Sequence, residues 1–372
     1  MTNFNKVLRQ YLLLPTLALF LCLFLGINAK AATGGKVYVT VEKFTLGQGY
    51  LVEPTEVEIA EGEKASSVLE KVLKANGYQY SLYDEVWYLA GIKNADSGTV
   101  KVPSCIQSKW GSNLSSKSGK DLFQYDYSSQ SGWMYFVNNE SPSVSADGYT
   151  LKNGDVVRLC FTLYGWGGDL GCEYDKYLVL PNMDTLIKRM AIFNANKAIC
   201  VEKGYQTAYN EALALAKNMD AYVIKDDKSN QSQMTAKIQN AYNKLPSDET
   251  VVQLKAEKAA AKAAAKAAEA QKILKYTPKA PTLKTVKSKK TRTATLTWNK
   301  NKKATGYVIY MSTKKSSGYK KITTIKKWNK ITYTKKKLKK NKKYYFKLKA
   351  YKTVSGKKYY SAYSNVKKVK VK

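Results

Sequence analysis

The residue types that support catalysis are scarce in this chain. Among its 372 residues there is no histidine, which rules out Ser-His-Asp and Cys-His arrangements and imidazole metal sites. Carboxylate pairs remain available for glycoside chemistry, but most of the acids stand singly, as at Glu53, Glu56 and Glu58, which is typical of a hydrated surface. No zinc-type cysteine spacing and no glycine-rich phosphate loop is present. The sequence therefore predicts a protein that is not an enzyme, with no catalytic residues and no metal site.

Aromatic residues offer a second kind of chemistry, the binding of a flat or amphipathic ligand. Trp133, Tyr135, Tyr164 and Trp166 fall within residues 131–168. Amphipathic rings favour contact with a sugar, a corrin or a peptide, so these four are the candidate ligand-binding residues. The alternative is that Trp133 and Tyr135 fill the core on one face. Trp166 follows a predicted strand in a glycine-rich loop and is expected to be exposed.

The N-terminal segment predicts export from the cell. Lys6 and Arg9 precede an apolar run at 11–27, and a small-x-small site follows at 29–31. This order is that of a secretory signal peptide, which we place at residues 1–31. An uncleaved membrane anchor is the alternative, because the apolar run approaches spanning length. After cleavage no association with a membrane is expected.

Cysteine usage fits an oxidising compartment. Of five cysteines, Cys22 leaves with the signal peptide, and an even number remains at Cys105, Cys160, Cys172 and Cys200. Such a set favours disulfides in an exported protein. We predict bonds between Cys105 and Cys160 and between Cys172 and Cys200, with four unpaired thiols as the alternative.

Strand and helix patterns frame the aromatic segment. Residues 36–43 and 56–60 alternate apolar and polar positions, and 64–76 predicts a helix that ends at Gly77. Residues 156–163 alternate as well, so we expect one face of that strand to pack and the other, with Arg158, to stay free. The order of these elements is that of a small α+β domain.

A longer pattern carries a family resemblance. The matching residues are Ser131-Gly132-Trp133-Met134-Tyr135, Val137-Asn138, Pro142, Tyr149, Leu151, Gly154-Asp155-Val156 and Phe161-Thr162. They resemble the transcobalamin C-terminal-like domain, which is found in bacterial surface proteins. The resemblance implies a β-grasp-like domain over 33–182, with an insertion at 104–126. It also makes cobalamin a conceivable ligand. In the vitamin carriers, however, a large helical domain completes the site, and this chain has no counterpart of that size.

Two helical segments follow. Residues 183–248 show helical periodicity and resemble the small bundles that space domains in Gram-positive surface proteins. Residues 249–277 are almost pure helix formers without an apolar seam, which is typical of a semi-rigid spacer. A basic helix that binds nucleic acid is the alternative for this second segment.

The C-terminal residues 278–372 predict seven short strands. The runs 294–298, 306–310 and 344–351 resemble strands B, C and F of a fibronectin type III domain, an all-β immunoglobulin-like sandwich. The resemblance makes Trp298 the core tryptophan. It makes Tyr344 the tyrosine corner, whose phenol ties back to the backbone.

Charge is concentrated in this last module. The chain has a net charge of +35, and 32 of its lysines and arginines lie at 276–372, where there is no aspartate or glutamate. Such a charge exceeds what solubility requires, and repulsion between the like charges lowers the stability of the folded module. Simple solvation of the lysines is one explanation. The favoured one is an anionic cell-wall polymer such as teichoic acid, bound in a salt-sensitive way. DNA is the runner-up, and the signal peptide argues against nucleic acid as the physiological partner.

Together these patterns predict a multidomain, secreted, cell wall-associated bacterial surface protein. Its first domain would bind an unknown extracellular ligand or partner, its helices would project that domain, and its basic domain would hold the wall. A corrinoid-binding surface protein and a purely structural envelope component are the alternatives.

Overall fold

The computed structural model describes residues 33–83, 87–111, 113–172, 177–221 and 223–372. The predicted signal peptide lies outside these residues. The chain divides into two compact units, one up to Lys255 and one from Ala256. In the part that is described, no helix has both the length and the apolar character needed to cross a membrane.

The first unit contains nine strands and six helices within the described residues. The strands are β1 (Thr33–Glu42), β2 (Tyr50–Ala60), β3 (Tyr80–Leu82), β4 (Leu89–Ile92), β5 (Leu122–Phe123), β6 (Gly132–Val137), β7 (Val156–Thr162), β8 (Leu178–Val179) and β9 (Val223–Ile224). The helices are α1 (Ala65–Ala75), α2 (Ser104–Trp110), α3 (Asp184–Ala195), α4 (Lys197–Glu202), α5 (Gln206–Ala216) and α6 (Lys228–Lys244).

A four-stranded mixed sheet of order β2-β1-β7-β6 forms the centre of this unit. The two inner strands, β1 and β7, are parallel, and each outer strand is antiparallel to its neighbour. Helix α1 buries Val68, Leu69 and Leu73 completely against one face. The helix ends as the sequence predicts, because Gly77 takes a φ of 78° that glycine adopts without strain.

Strand β7 differs from its expected pattern, since all of its residues are buried. Arg158, Cys160 and Thr162 are only 1%, 2% and 1% exposed. The expectation of one free face was wrong because helix α3 and the helical turn Gly168–Leu170 pack over that face. The alternating apolar and polar pattern of β7 thus occurs in an inner strand that is covered on both faces.

The helical segment after 183 packs on the sheet instead of standing apart from it. Phe193 and Tyr209 stack with ring centroids 4.3 Å apart in its core, and the same cluster includes Tyr38 from β1. The Tyr209 hydroxyl donates to Glu53 at 2.8 Å. Helices α3 to α6 therefore form one unit with the domain that they were expected to space.

Helix α7 (Asp248–Tyr276) is a single helix of 29 residues, about 44 Å long at the usual rise per residue. Val251 is its one buried residue among those described. The Ala- and Lys-rich sequence thus forms the long exposed helix that its composition predicts.

The second unit folds as a β-sandwich. Its strands are β10 (Leu283–Lys287), β11 (Ala294–Trp298), β12 (Gly306–Ser312), β13 (Lys320–Ile325), β14 (Thr332–Lys335), β15 (Lys343–Val354), β16 (Lys357–Tyr360) and β17 (Lys367–Lys370). One sheet has the order β10-β11-β14, and the other has the order β13-β12-β15-β16 with β17 also on β15. Strands that alternate between two sheets in this way form the immunoglobulin-like, fibronectin type III-like sandwich.

Two residues singled out in the sequence lie at the centre of this sandwich. Trp298 is fully buried, with its ring 5.4 Å from that of Tyr307 in an edge-on contact. The hydroxyl of Tyr344 accepts a hydrogen bond from the backbone N–H of Lys339 at 3.1 Å. That bond ties the start of β15 to the chain just before it, which is the geometry of a tyrosine corner.

Candidate functional site

The outer strand β6 organises the candidate site of the first unit. It pairs with β7 along one edge, and among the described residues no named strand pairs with its other edge. Because side chains alternate along a strand, Trp133 and Tyr135 share one face of the sheet, while Met134 and Phe136 share the other. A cavity adjoins each face.

The cavity on the Trp133 face is apolar and has a volume of 380 Å³. Trp133 is 4% exposed and donates its ring N–H to the Leu122 carbonyl at 3.1 Å, so it is a core residue that also forms the wall. The hydroxyl of Tyr135 donates to the Val144 carbonyl, and burial raises the pKa of Tyr135 to about 12. Tyr135 therefore presents a neutral, oriented ring.

The cavity on the Met134 face has a volume of 430 Å³ and is lined in part by Trp166 and Cys172. Asn139 also lines it, and its side-chain oxygen is buried with no hydrogen-bond partner in the described part of the chain. That oxygen is thus an unsatisfied acceptor beside the cavity. Met134 and Ser141 line both cavities, so the two adjoin across β6.

Trp166 is the most exposed of the four candidate residues. It is 52% exposed, has a φ of 48°, and touches the Tyr125 ring edge-on at 5.8 Å. The next residue, Gly167, has a φ of 97°, a backbone conformation in which any L side chain is strained. The loop thus holds Trp166 at the rim of its cavity.

Tyr164 does not join this site. It is 8% exposed and lies parallel to the Trp110 ring at a centroid distance of 6.2 Å. Its hydroxyl donates to the Asn113 carbonyl at 3.2 Å. The structure therefore divides the four candidates between two cavities and a packed loop instead of gathering them into one platform.

Sequence reasoning missed two aromatic residues of the apolar cavity, Trp87 and Tyr88. The ring N–H of Trp87 donates to Glu70 on helix α1 at 3.0 Å. An adjacent Trp-Tyr pair in a segment interpreted as loop was the available signal, since large aromatic residues in a loop need a surface to cover.

A buried ion pair lies on the covered face of the sheet. Arg158 donates to both carboxylate oxygens of Glu42, at 3.0 Å and 2.7 Å. Thr40 donates to the same carboxylate at 2.6 Å. Cys160 donates to it at 3.4 Å, and burial raises the pKa of that thiol well above its usual range. The cysteine is therefore an inert thiol in a polar cluster.

A second buried carboxylate, Asp169, fixes the loop that carries Trp166. It accepts from the backbone N–H groups of Leu163 at 2.7 Å and Tyr164 at 3.2 Å, and from the Thr162 hydroxyl. Burial raises the pKa of Asp169 to about 7. The loop geometry thus depends on a side chain that titrates near neutrality.

The predicted disulfides are absent from the structure, where Cys105, Cys160, Cys172 and Cys200 are all free of disulfide bonds. Cys200 is buried among the helices, while Cys172 packs against the core of the sheet domain, so these two belong to different hydrophobic clusters. The Cys105 thiol donates to the Met219 carbonyl at 3.1 Å. Within the described residues there is also no cluster of side chains suited to a metal ion.

The second unit presents a different kind of surface on its larger sheet. Strand β15 alternates, with Phe346 and Leu348 buried and Lys347 and Lys349 partly exposed between them. Tyrosines flank these lysines on the same strand and on its neighbours. We call this surface the tyrosine–lysine face, and its members are Tyr310, Tyr345, Lys347, Lys349, Tyr351, Tyr360 and Tyr363.

Comparison with known families gives one match. Residues 119–162 fit the model of a family described as a domain of unknown function, DUF4430, a domain that is known as transcobalamin-like. The match covers β6 and β7 and the turn-rich segment between them, and so includes Trp133, Tyr135 and one wall of each cavity. No curated protein matches the chain.

Among solved structures, several similar chains are fibronectin type III-like. An Fn3-like protein from Clostridium thermocellum is 30% identical over 24% of this chain and 90% of its own, with a TM-score of 0.20. The fibronectin type III domain of human fibronectin type III domain containing protein 3 is 24% identical over 26% and 86%, with a TM-score of 0.21. A beta-1,2-glucanase from Parabacteroides distasonis is 22% identical over 25% of this chain but only 12% of its own length, with a TM-score of 0.22.

Proposed function

We propose that this protein is a secreted, wall-associated bacterial surface protein that binds through both of its units. The first unit carries a β-grasp-like domain of the transcobalamin C-terminal-like type and takes an extracellular ligand. The second unit associates with anionic cell-wall polymers such as teichoic acid. Neither unit acts as an enzyme.

Charge in the second unit is the observation that carries this proposal. Residues 276–372 hold 32 lysines and arginines and no acid, so no carboxylate side chain inside the sandwich can neutralise them. Within the second unit, Glu269 of helix α7 forms an ion pair with Lys357 of the sandwich. Such a surface attracts a polyanion strongly at low salt and weakly at high salt.

The two cavities on either side of β6 support the binding role of the first unit. Their volumes of 380 and 430 Å³ fall in the range of small-ligand sites, about 300–1,000 Å³. One is aromatic and apolar, and the lining of the other includes the polar side chains of Asn139 and Ser141. A ligand with an apolar group and a hydrogen-bond donor fits this pair.

Sedimentation of the full chain with purified cell walls tests the wall-binding role. We expect the protein to sediment with intact walls at low salt, to be released near half-molar salt, and to lose binding when teichoic acid is stripped. Binding that is insensitive to salt would contradict an electrostatic contact. Equal binding to intact and stripped walls would show that the protein recognises a wall component other than teichoic acid.

The cavities are tested separately, by substitution at their rim. Trp166→Ala is expected to weaken binding of whatever ligand a screen of the full chain identifies, with the fold unchanged. Cobinamide belongs in that screen, because reversible binding of it would favour the corrinoid alternative. A chain that binds no ligand and no wall polymer would be a structural envelope component.

A further inference from the structure

The tyrosine–lysine face carries an inference that goes beyond its charge. On β15 the partly exposed side chains of Tyr345, Lys347 and Lys349 alternate with buried ones, and Tyr351 follows on the same side but is itself only 3% exposed. Register brings Tyr310 of β12 beside Lys347, and Tyr360 of β16 beside Tyr351. Lysines and tyrosines are therefore interleaved across three adjacent strands.

Aromatic rings hold the lysines of this face in place. The ammonium of Lys347 lies 3.7 Å from the ring centroid of Tyr363 and 4.1 Å from that of Tyr319. The ammonium of Lys349 lies 4.1 Å from Tyr363, and that of Lys358 lies 5.4 Å from Tyr351. A ring quadrupole attracts a cation without neutralising it. These lysines are thus oriented at fixed positions and keep their full charge for an anionic partner.

The rings themselves offer contact area. Tyr360 is 44% exposed and Tyr363 is 42% exposed. Tyr363 meets Tyr310 edge-on at 5.2 Å, and Tyr360 is tilted against Tyr351 at 5.9 Å. The face therefore combines point charges with amphipathic ring surface, whereas a phosphate polymer can use only the charges.

The opposite sheet of the same sandwich lacks this combination. Its outward positions on β11 are Thr295 and Thr297, which are hydrogen-bond partners of Thr334 at 3.0 Å and Thr285 at 2.6 Å. We call these four residues the threonine face. The two sheets share one core and one excess of charge, so they provide a control within a single domain.

We infer that the tyrosine–lysine face is a binding site for an acidic polysaccharide, with carboxylates at the fixed lysines and sugar rings against the exposed tyrosines. This inference rests on the proposed function, which it narrows from polyanions in general to acidic glycans. Stacked nucleic-acid bases also use aromatic platforms. Here, however, the closest rings are edge-on or tilted, and the ammonium of Lys347 sits over Tyr363, so the flat stacking surface that bases need is reduced.

Titration of the full chain with three polyanions tests the inference: polygalacturonate, inorganic polyphosphate and oligothymidylate at matched charge. Polygalacturonate is expected to bind most tightly at equal ionic strength. Lys347→Gln with Lys349→Gln is expected to weaken it about tenfold. Lys284→Gln with Lys287→Gln removes the same charge from exposed positions of β10 in the other sheet, and should change the affinity much less.

Substitution of the exposed tyrosines distinguishes a site that contacts sugar rings from a surface that binds by charge alone. Tyr360→Ser with Tyr363→Ser is expected to reduce affinity for polygalacturonate about three- to tenfold, as for lost aromatic contacts, while polyphosphate affinity stays nearly constant. Trp328→Ser, an exposed aromatic residue in a loop outside the face, is the matched control and should change neither. Circular dichroism of each variant verifies the fold.

The outcomes distinguish this inference from the proposed function. If the two double lysine substitutions weaken the binding of polygalacturonate equally, general charge attraction explains the binding, and a specific role of the tyrosine–lysine face is refuted. If the double tyrosine substitution lowers the affinity for polygalacturonate and for polyphosphate alike, contact between the tyrosines and sugar rings is refuted. Tightest binding of oligothymidylate would make the face a nucleic-acid surface. Failure to bind any of the three polymers would overturn the proposed function itself.

Discussion

The two units of this protein handle charge in opposite ways. The first unit buries charged side chains and pairs them internally, as in the Glu42–Arg158 pair, in which each side chain is 2% exposed. The second unit leaves its lysines on the surface, where rings such as Tyr363 orient them but do not neutralise them. Charge therefore specifies structure in one unit and remains available to partners in the other.

Breaking the buried pair tests the first half of this comparison and should have the largest effect. Arg158→Met leaves the Glu42 carboxylate without its bidentate partner, and we expect a loss of about 3–5 kcal/mol from the unfolding free energy of the first unit. Chemical denaturation, monitored by near-ultraviolet circular dichroism, measures it.

The double variant Glu42→Gln with Arg158→Met is the control for that measurement. It removes both charges and should recover a large part of the lost stability, because no uncompensated charge remains buried. A double variant as unstable as the single one would show that shape and packing, and not charge pairing, make this cluster important.

The pH dependence of the first unit should follow Asp169, whose folded-state pKa is raised to about 7 by burial. The folded state then holds a proton that the unfolded state has released, so the contribution of this group to stability is fully present below about pH 4 and is lost as pH rises towards 7. The contribution of this group falls by at most about 1.4 kcal/mol per pH unit.

Asp169→Asn removes this titration and retains an acceptor for the backbone N–H groups of Leu163 and Tyr164. Stability of the variant should therefore vary less between pH 4 and 7 than that of the parent protein, in denaturation curves recorded at several pH values. Identical pH profiles would mean that Asp169 is charged throughout.

Added salt should act mainly on the second unit. Self-repulsion among 32 positive charges is screened as the Debye length shortens, from about 30 Å at 0.01 M to 3 Å at 1 M. We expect the melting temperature of the sandwich to rise by a few degrees with sodium chloride, and that of the first unit to change less. Differential scanning calorimetry of the full chain follows the two transitions.

The smallest effect is expected at Trp166. More than half of this side chain is exposed, so Trp166→Ala should cost less than about 1 kcal/mol of stability. A thermal shift assay measures this, with Trp133→Ala as the buried counterpart that should cost about 3–5 kcal/mol. A large loss at Trp166 would assign it to the core and remove it from the candidate site.

Much of this architecture was predictable where a local pattern agreed with the final packing. Helix α1 has its apolar stripe and its glycine stop within one short segment, and the β-sandwich has regular alternation in β11 and β15. The composition of α7 was enough to predict a long helix, since it contains helix formers and no competing apolar seam.

The candidate site was less predictable, because it depends on contacts between distant segments. Nothing near Arg158 in sequence indicates that helix α3 covers it, or that Glu42, more than a hundred residues earlier, is its partner. Tyr164 and Trp166 are two residues apart, yet one stacks on Trp110 and the other lies at a cavity rim. The disulfide prediction was wrong for the same reason. An even number of cysteines does not reveal in which hydrophobic cluster each thiol is buried.

The tyrosine–lysine face has one further consequence, which concerns the pH of the medium. The module has no histidine and no acidic side chain, and lysine, arginine and tyrosine all titrate near pH 10 or above. Burial raises the pKa of Tyr310, Tyr319 and Tyr351 further, so these hydroxyls stay neutral. The charge of this surface is therefore constant as the medium turns from mildly alkaline to strongly acid. Electrostatic binding of a polyanion by this surface would therefore respond to ionic strength, and a change with pH would come from the acidic groups of the partner.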